Sequence, residues 1–211
     1  MSETADTQRR AWGDAIPDRS EQFQLKRQVV LETAARTFNQ RGFQKTTLAD
    51  IAEELNIAKP TIYHYFDNKD EILFECHRIA IEEITARDDD SLPEDTRGVA
   101  LLRRFIWRYV HMIVGDFGTC LVMTGPMALA PENQNRVRKG RKEIDMILCG
   151  IIRRGIKDGS FAPCDPKTTC MFVFGAMNWI PHWYRSDGEI DVDELAERII
   201  EFVMKTLAPR D

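Results

Sequence analysis

The 211-residue sequence contains no run approaching the ~18–20 unbroken apolar residues that a membrane-spanning helix needs, which excludes a helical membrane protein. Its opening stretch, MSETADTQRRAWGDAIPDRS, lacks the apolar core of a secretory signal. Cysteine is scarce and unpatterned: five residues, an odd number without tight spacing, argue against a disulfide framework and for a reducing cytoplasm. Excess positive charge is missing too. Against 34 Asp and Glu stand 29 Lys and Arg, a formal charge of −5, so any DNA binding must come from a local, shaped site. No phosphate-cradling glycine loop, His-Glu-x-x-His or Gly-x-Ser-x-Gly occurs. The reading is therefore not an enzyme, with no catalytic residue, cofactor or metal set. Cys76-His77 and the Cys164/Cys170 pair raise a metal or redox sensor, but cysteines scattered over separate helices read as buried structural thiols.

What the chain has is helical periodicity. At 43% hydrophobic it can bury a core, and alternating strand-like runs are hard to find. Residues 1–20 read as a flexible tail. A first helix is expected from Glu21 to Arg41, with Leu25, Val29, Val30, Ala34 and Phe38 on one side and Gly42 as its stop. Thr47 caps a second helix with Asp50 in the capping-box position, and Leu48, Ile51, Ala52 and Leu55 form its stripe. Asn56 fills a left-handed turn, Pro60 the first turn of a third helix, and Ile62 and Phe66 face inward. Asn68 with Glu71 caps a fourth helix. The run Asp88-Asp89-Asp90 reads as a loop. Further helices are expected over roughly 95–115, 118–129, 132–158, 166–184 and 191–208, the fourth of these kinked or ended by Pro181. The fold class is all-α, with about nine helices.

Two short amphipathic helices joined by a four-residue turn, behind a preceding helix, make a helix-turn-helix. The second would enter the major groove, presenting Lys59, Thr61, Tyr63 and His64, with Pro60 among them and Lys69 just beyond. Lys59 and Thr61 suit base edges, whereas Tyr63, His64 and Lys69 suit phosphates; Thr47 offers a hydroxyl at a helix start. Packing alone also explains a Tyr-His-Tyr-Phe run. Residues 21–70 carry seven Lys and Arg against seven Asp and Glu, so positioned contacts rather than bulk charge must carry the affinity.

The segment TTLADIAEELNIAKPTIYHYFDNKDEIL resembles the DNA-binding signature of TetR-family regulators, and the likeness runs over about residues 25–73. Asn56 replaces a common glycine there. Ala58 replaces a common serine-like cap, a contact worth ~1 kcal/mol. The resemblance implies a helix-turn-helix domain over 21–67, and a domain over 68–211 that encloses a ligand and pairs with a second copy through the last two helices. Phe174, Gly175, Met177 and Asn178, then Leu195, Ile199, Phe202, Val203 and Leu207, are the interface candidates. It further implies a homodimer on a palindromic double-stranded DNA operator, repressing until a small effector releases it, with the fourth helix carrying the change.

The body is rich in large soft side chains, which suit either an ordinary core or an adaptable cavity. Trp107, His111, Met146, Asn178, Trp179, Trp183 and Arg185 are the candidate effector contacts. The segment GAMNWIPHWYRSDGEIDVDELAERI is similar to TetR-type regulators of fatty-acid, sterol and other CoA-dependent degradation, implying an acyl-CoA or related thioester as effector. Arg153, Arg154, Lys157 or Arg185 would then meet its phosphates, although a solvated helix face explains them equally. The alternatives are an efflux regulator answering a hydrophobic drug, and a DNA-binding protein with no switch.

Overall fold

The computed structural model describes residues 18–86, 93 and 95–209, which hold nine α-helices, two short 3₁₀ turns and no strand. Most of the expected tail and the Asp88–Asp90 loop lie outside the described residues. Among those described, no helix is long and apolar enough to cross a membrane.

Helix α1 (Arg19–Arg41) starts two residues before the sequence suggests, because Asp18 and Glu21 form a reciprocal capping box. Its buried face is Val30, Leu31, Ala34, Ala35 and Phe38. Leu25 and Val29, expected on that face, are 60% and 50% exposed. On the helical wheel the two lie together, roughly opposite the buried face, so a line drawn through Val29 and Val30 joins two different faces. Gly42, at φ 82°, turns the chain out of α1 in a conformation that favours glycine.

Helix α2 (Leu48–Glu54) carries the anticipated Thr47–Asp50 capping box. Asn56 supplies the left-handed turn at φ 53°. Helix α3 (Lys59–Ile62) then starts at Ala58 with no side-chain cap and Pro60 in its first turn. It is one regular turn, prolonged by the Tyr65 and Phe66 N–H groups donating to the Ile62 carbonyl. Ile62 and Phe66 are buried, as their spacing implied. In α4 (Lys69–Thr85) Asn68 caps the Glu71 N–H, but the Glu71 carboxylate accepts from Asp67 N–H rather than closing a box on Asn68.

The body comprises α5 (Gly98–Val114), α6 (Asp116–Met123), α7 (Pro131–Lys157), α8 (Pro166–Asn178) and α9 (Val192–Leu207). Helix α6 packs on both α1 and α4, so it sits where the helix-turn-helix meets the body; α5 packs on α7 and α9. Asn39 donates to the Asp116 carbonyl at 2.9 Å and Arg36 pairs with the Asp116 carboxylate, tying α1 to α6. Gly98 and Gly155 let α5 and α7 touch backbone to backbone, since a Cβ on Gly98 would land on Gly155. Helix α8 stops at Asn178, short of the expected 184, and Pro181 lies in a 3₁₀ turn over Ile180–His182.

Candidate nucleic-acid interface and effector cavity

The helix-turn-helix presents one polar edge. Lys59, Pro60 and His64 are exposed, Tyr63 is half exposed and Thr61 half-buried. Behind them Phe66 is fixed in the core, with the Arg27 guanidinium 4.6 Å above its ring. Arg27 pairs in turn with Glu75 at 2.9 Å, and Glu75 also binds Arg78 at 3.0 Å, joining α1 to α4. Burial works against ionisation of Glu75, but hydrogen bonds from Arg78 and Arg27 outweigh it and hold its carboxyl below the usual range.

The Thr47 hydroxyl is exposed, yet it already accepts from the Asp50 N–H and donates to the Asp50 carboxylate at 2.8 Å. Those bonds, with smaller help from Arg41 and Lys69, keep the Asp50 carboxyl low. Lys69 departs from the sequence reading. Its ammonium points inward, donating to the Phe43 and Thr46 carbonyls at 2.7 and 2.8 Å and lying 4.3 Å over the Phe43 ring. Burial lowers its pKa, Asp50 opposing. A lysine placed just after a recognition helix reads as a phosphate contact, but here a loop folded back under it takes the charge.

A cavity of about 530 Å³ opens where the end of α4 meets α5 and α7. Ile84, Leu101, Phe105, Met146, Ile147 and Ile151 give it apolar walls, and Arg104, Arg108 and Arg154 bring three guanidinium groups against one carboxylate, Glu143. Arg108 also donates to the Glu83 and Ala86 carbonyls at 2.5 and 3.1 Å, closing the C-terminal end of α4.

Of the seven expected effector contacts, Met146 alone lines this cavity. Trp107 is exposed and stacks on His111 at 3.7 Å, while His111 Nε2 meets the Asp193 carboxylate at 2.9 Å and ties α5 to α9. Asn178 accepts the Tyr109 hydroxyl at 2.7 Å inside the body. Trp179 stacks on His182 at 4.0 Å, and Arg185 pairs with Asp187 in water. Trp179 and Trp183 are exposed on the turn after α8. Arg154 was among the cations singled out from sequence; Arg104 and Arg108 were not. The signal for them was their spacing of four, which puts both beside Leu101 and Phe105 on one flank of α5.

The outward face of α8 and α9 keeps Phe202 from the sequence reading but differs from it elsewhere. Phe174, Met177, Leu195, Val203 and Leu207 are buried within the chain. The apolar groups that α8 and α9 turn outward are Met171, Phe172 and Phe202, the two phenylalanines 76% and 71% exposed.

Comparison with known proteins accounts for nearly all of this architecture. Residues 30–76 match the family described as bacterial regulatory proteins, tetR family, and residues 95–207 match the tetracyclin repressor-like C-terminal domain. The uncharacterized HTH-type transcriptional regulator YhgD of Bacillus subtilis is 27% identical over 189 residues, covering 87% of this chain and 97% of that one. The ketosteroid transcriptional regulator KstR2 of Mycobacterium tuberculosis superposes with a TM-score of 0.80 at 22% identity, over 88% of this chain and 96% of that one. AibR, solved in complex with isovaleryl coenzyme A and operator DNA, gives 0.73 at 21% identity, over 88% and 99% of the two chains.

Proposed function

Because the chain belongs to the TetR family of bacterial transcriptional regulators, we propose that it is a homodimeric repressor released from a palindromic operator by an acyl-CoA or related CoA thioester. Residues 21–67 read the DNA, and residues 68–211 bind the effector and the second copy. Lys59 and Thr61 address base edges, and Pro60, Tyr63, His64 and Thr47 hold the register on the backbone. Met171, Phe172 and Phe202 form the apolar centre of the dimer face, whose two-fold symmetry suits an operator with paired half-sites.

The observation that carries the effector class is the cavity's mixed chemistry. An apolar slot suits an acyl chain, and Arg104, Arg108 and Arg154 suit the phosphates of a CoA moiety. AibR, similar in fold, is solved with a CoA thioester, and relatives named HTH-type transcriptional repressor KstR2 support repression as the output. A regulator of drug efflux shares the apolar walls, and the three arginines favour an anionic thioester over a neutral or cationic drug.

Helix α4 supplies the coupling. One end is bound to the helix-turn-helix through Lys69 and Glu75, and its last residues, Ile84 and Thr85, wall the cavity together with Ala86, which follows them. A ligand that fits only one position of that end shifts the dimer toward a spacing unsuited to the operator, and ligand and DNA then weaken each other by the same factor, typically 1–3 kcal/mol. A thermal-shift panel tests the assignment: CoA thioesters should raise the melting temperature, and Arg104→Ala should reduce the rise. Stabilisation by free acids or drugs, with none from any thioester, overturns it.

A further inference from the structure

Cys149 Sγ on α7 and Cys170 Sγ on α8 stand 2.7 Å apart. We propose that these two residues are an oxidisable dithiol, converted by a hydroperoxide into an intramolecular disulfide that pins α7 to α8. A disulfide needs its sulfurs about 2.05 Å apart, so closing the bond asks for well under 1 Å of movement from side chains already facing each other on packed helices. The assignment is independent of the effector class.

Access and pairing together distinguish these two from the other thiols. Cys149 is half-buried, so a small oxidant can reach it, whereas Cys170 is fully buried against it. Cys76 and Cys120 are both fully buried; Cys164 is half-buried like Cys149 but lies in the segment before α8, outside the α7–α8 contact. Burial, then the hydrogen bond with Cys149, pushes the Cys170 thiol up, and Cys149 is the sulfur of the two that an oxidant can reach, so Cys149 attacks first. Its thiolate takes one peroxide oxygen, giving a sulfenic acid and an alcohol. The Cys170 sulfur then attacks the sulfenic sulfur, and the departing hydroxide leaves as water with the Cys170 proton. The two cysteines lose two electrons and two protons; the peroxide is reduced.

The cross-link would join two parts of the molecule that matter to regulation. Met146, Ile147, Gly150 and Ile151, around Cys149, wall the cavity. Met171 and Phe172, next to Cys170, are exposed on the outward apolar face. Oxidation thus fixes the cavity wall against that face.

Peptide mapping of the purified full-length chain, treated with cumene hydroperoxide and then alkylated, tests the proposal. The expected result is one Cys149–Cys170 disulfide, a loss of two hydrogens, and full reversal by dithiothreitol. The oxidised chain should melt roughly 5 °C higher than the reduced one, because the link closes a loop in the unfolded chain. Cys164→Ser should form the link unchanged. Full alkylation of Cys149 and Cys170 after oxidation, or a Cys76–Cys120 or Cys164 disulfide in its place, overturns the assignment.

Discussion

The Lys69 ammonium closes the loop between α1 and α2 onto the start of α4, since it bonds the Phe43 and Thr46 carbonyls together. A charged donor shared by two buried-side carbonyls contributes to stability rather than to DNA affinity. Lys69→Met, which keeps the stem, should lower unfolding free energy by about 2 kcal/mol in a denaturant titration. It should leave the salt dependence of operator binding unchanged, because no phosphate contact is lost. A slope reduced by one unit would return Lys69 to the DNA. Glu75 sets a pH limit at the same junction. Its folded pKa is depressed, so the ionised form stabilises the fold above the unfolded value, about 4.3, and that contribution is lost as pH falls through the lower folded value. Glu75→Gln should therefore cost roughly 1–2 kcal/mol at neutral pH, and the gap from the parent chain should narrow as the pH drops below about 4. A gap constant with pH would mean that its ionisation is not what stabilises the junction.

At the scale of elements, caps and turns were legible because their hydrogen bonds close within three or four residues. Thr47 with Asp50, Asn56 in its left-handed turn, and Pro60 at a helix start all stand where the sequence put them. Facing was less legible. Leu25 and Val29 on α1, and Phe174 and Met177 against Phe172 on α8, are apolar on more than one side, and only the neighbouring helices decide which side is buried. The cavity was beyond reach for a related reason, since its walls come from α4, α5 and α7, far apart in the chain. The α5–α7 crossing depends on the absence of side chains at Gly98 and Gly155. Gly98→Ala should cost roughly 1–3 kcal/mol through overpacking. Gly150→Ala, in an open helical position, should instead gain about 0.5–1 kcal/mol. Equal effects of the two in thermal denaturation would contradict the close approach.

Across the whole molecule, the polar edge of the helix-turn-helix, a cavity and an outward apolar face are strung along one continuous core. Helix α4 runs from the first to the second, and α7 and α8 connect the second to the third. The net charge of −5 means that affinity for DNA must be concentrated at the recognition turn, so it should be specific and only moderately salt-dependent. The most direct test is fluorescence-anisotropy binding of the protein to DNA from around its own gene, titrated with a series of acyl-CoAs. The account predicts tight, sequence-specific binding that one class of CoA thioester releases. Binding without sequence preference, or specific binding that no CoA thioester disturbs, would contradict it.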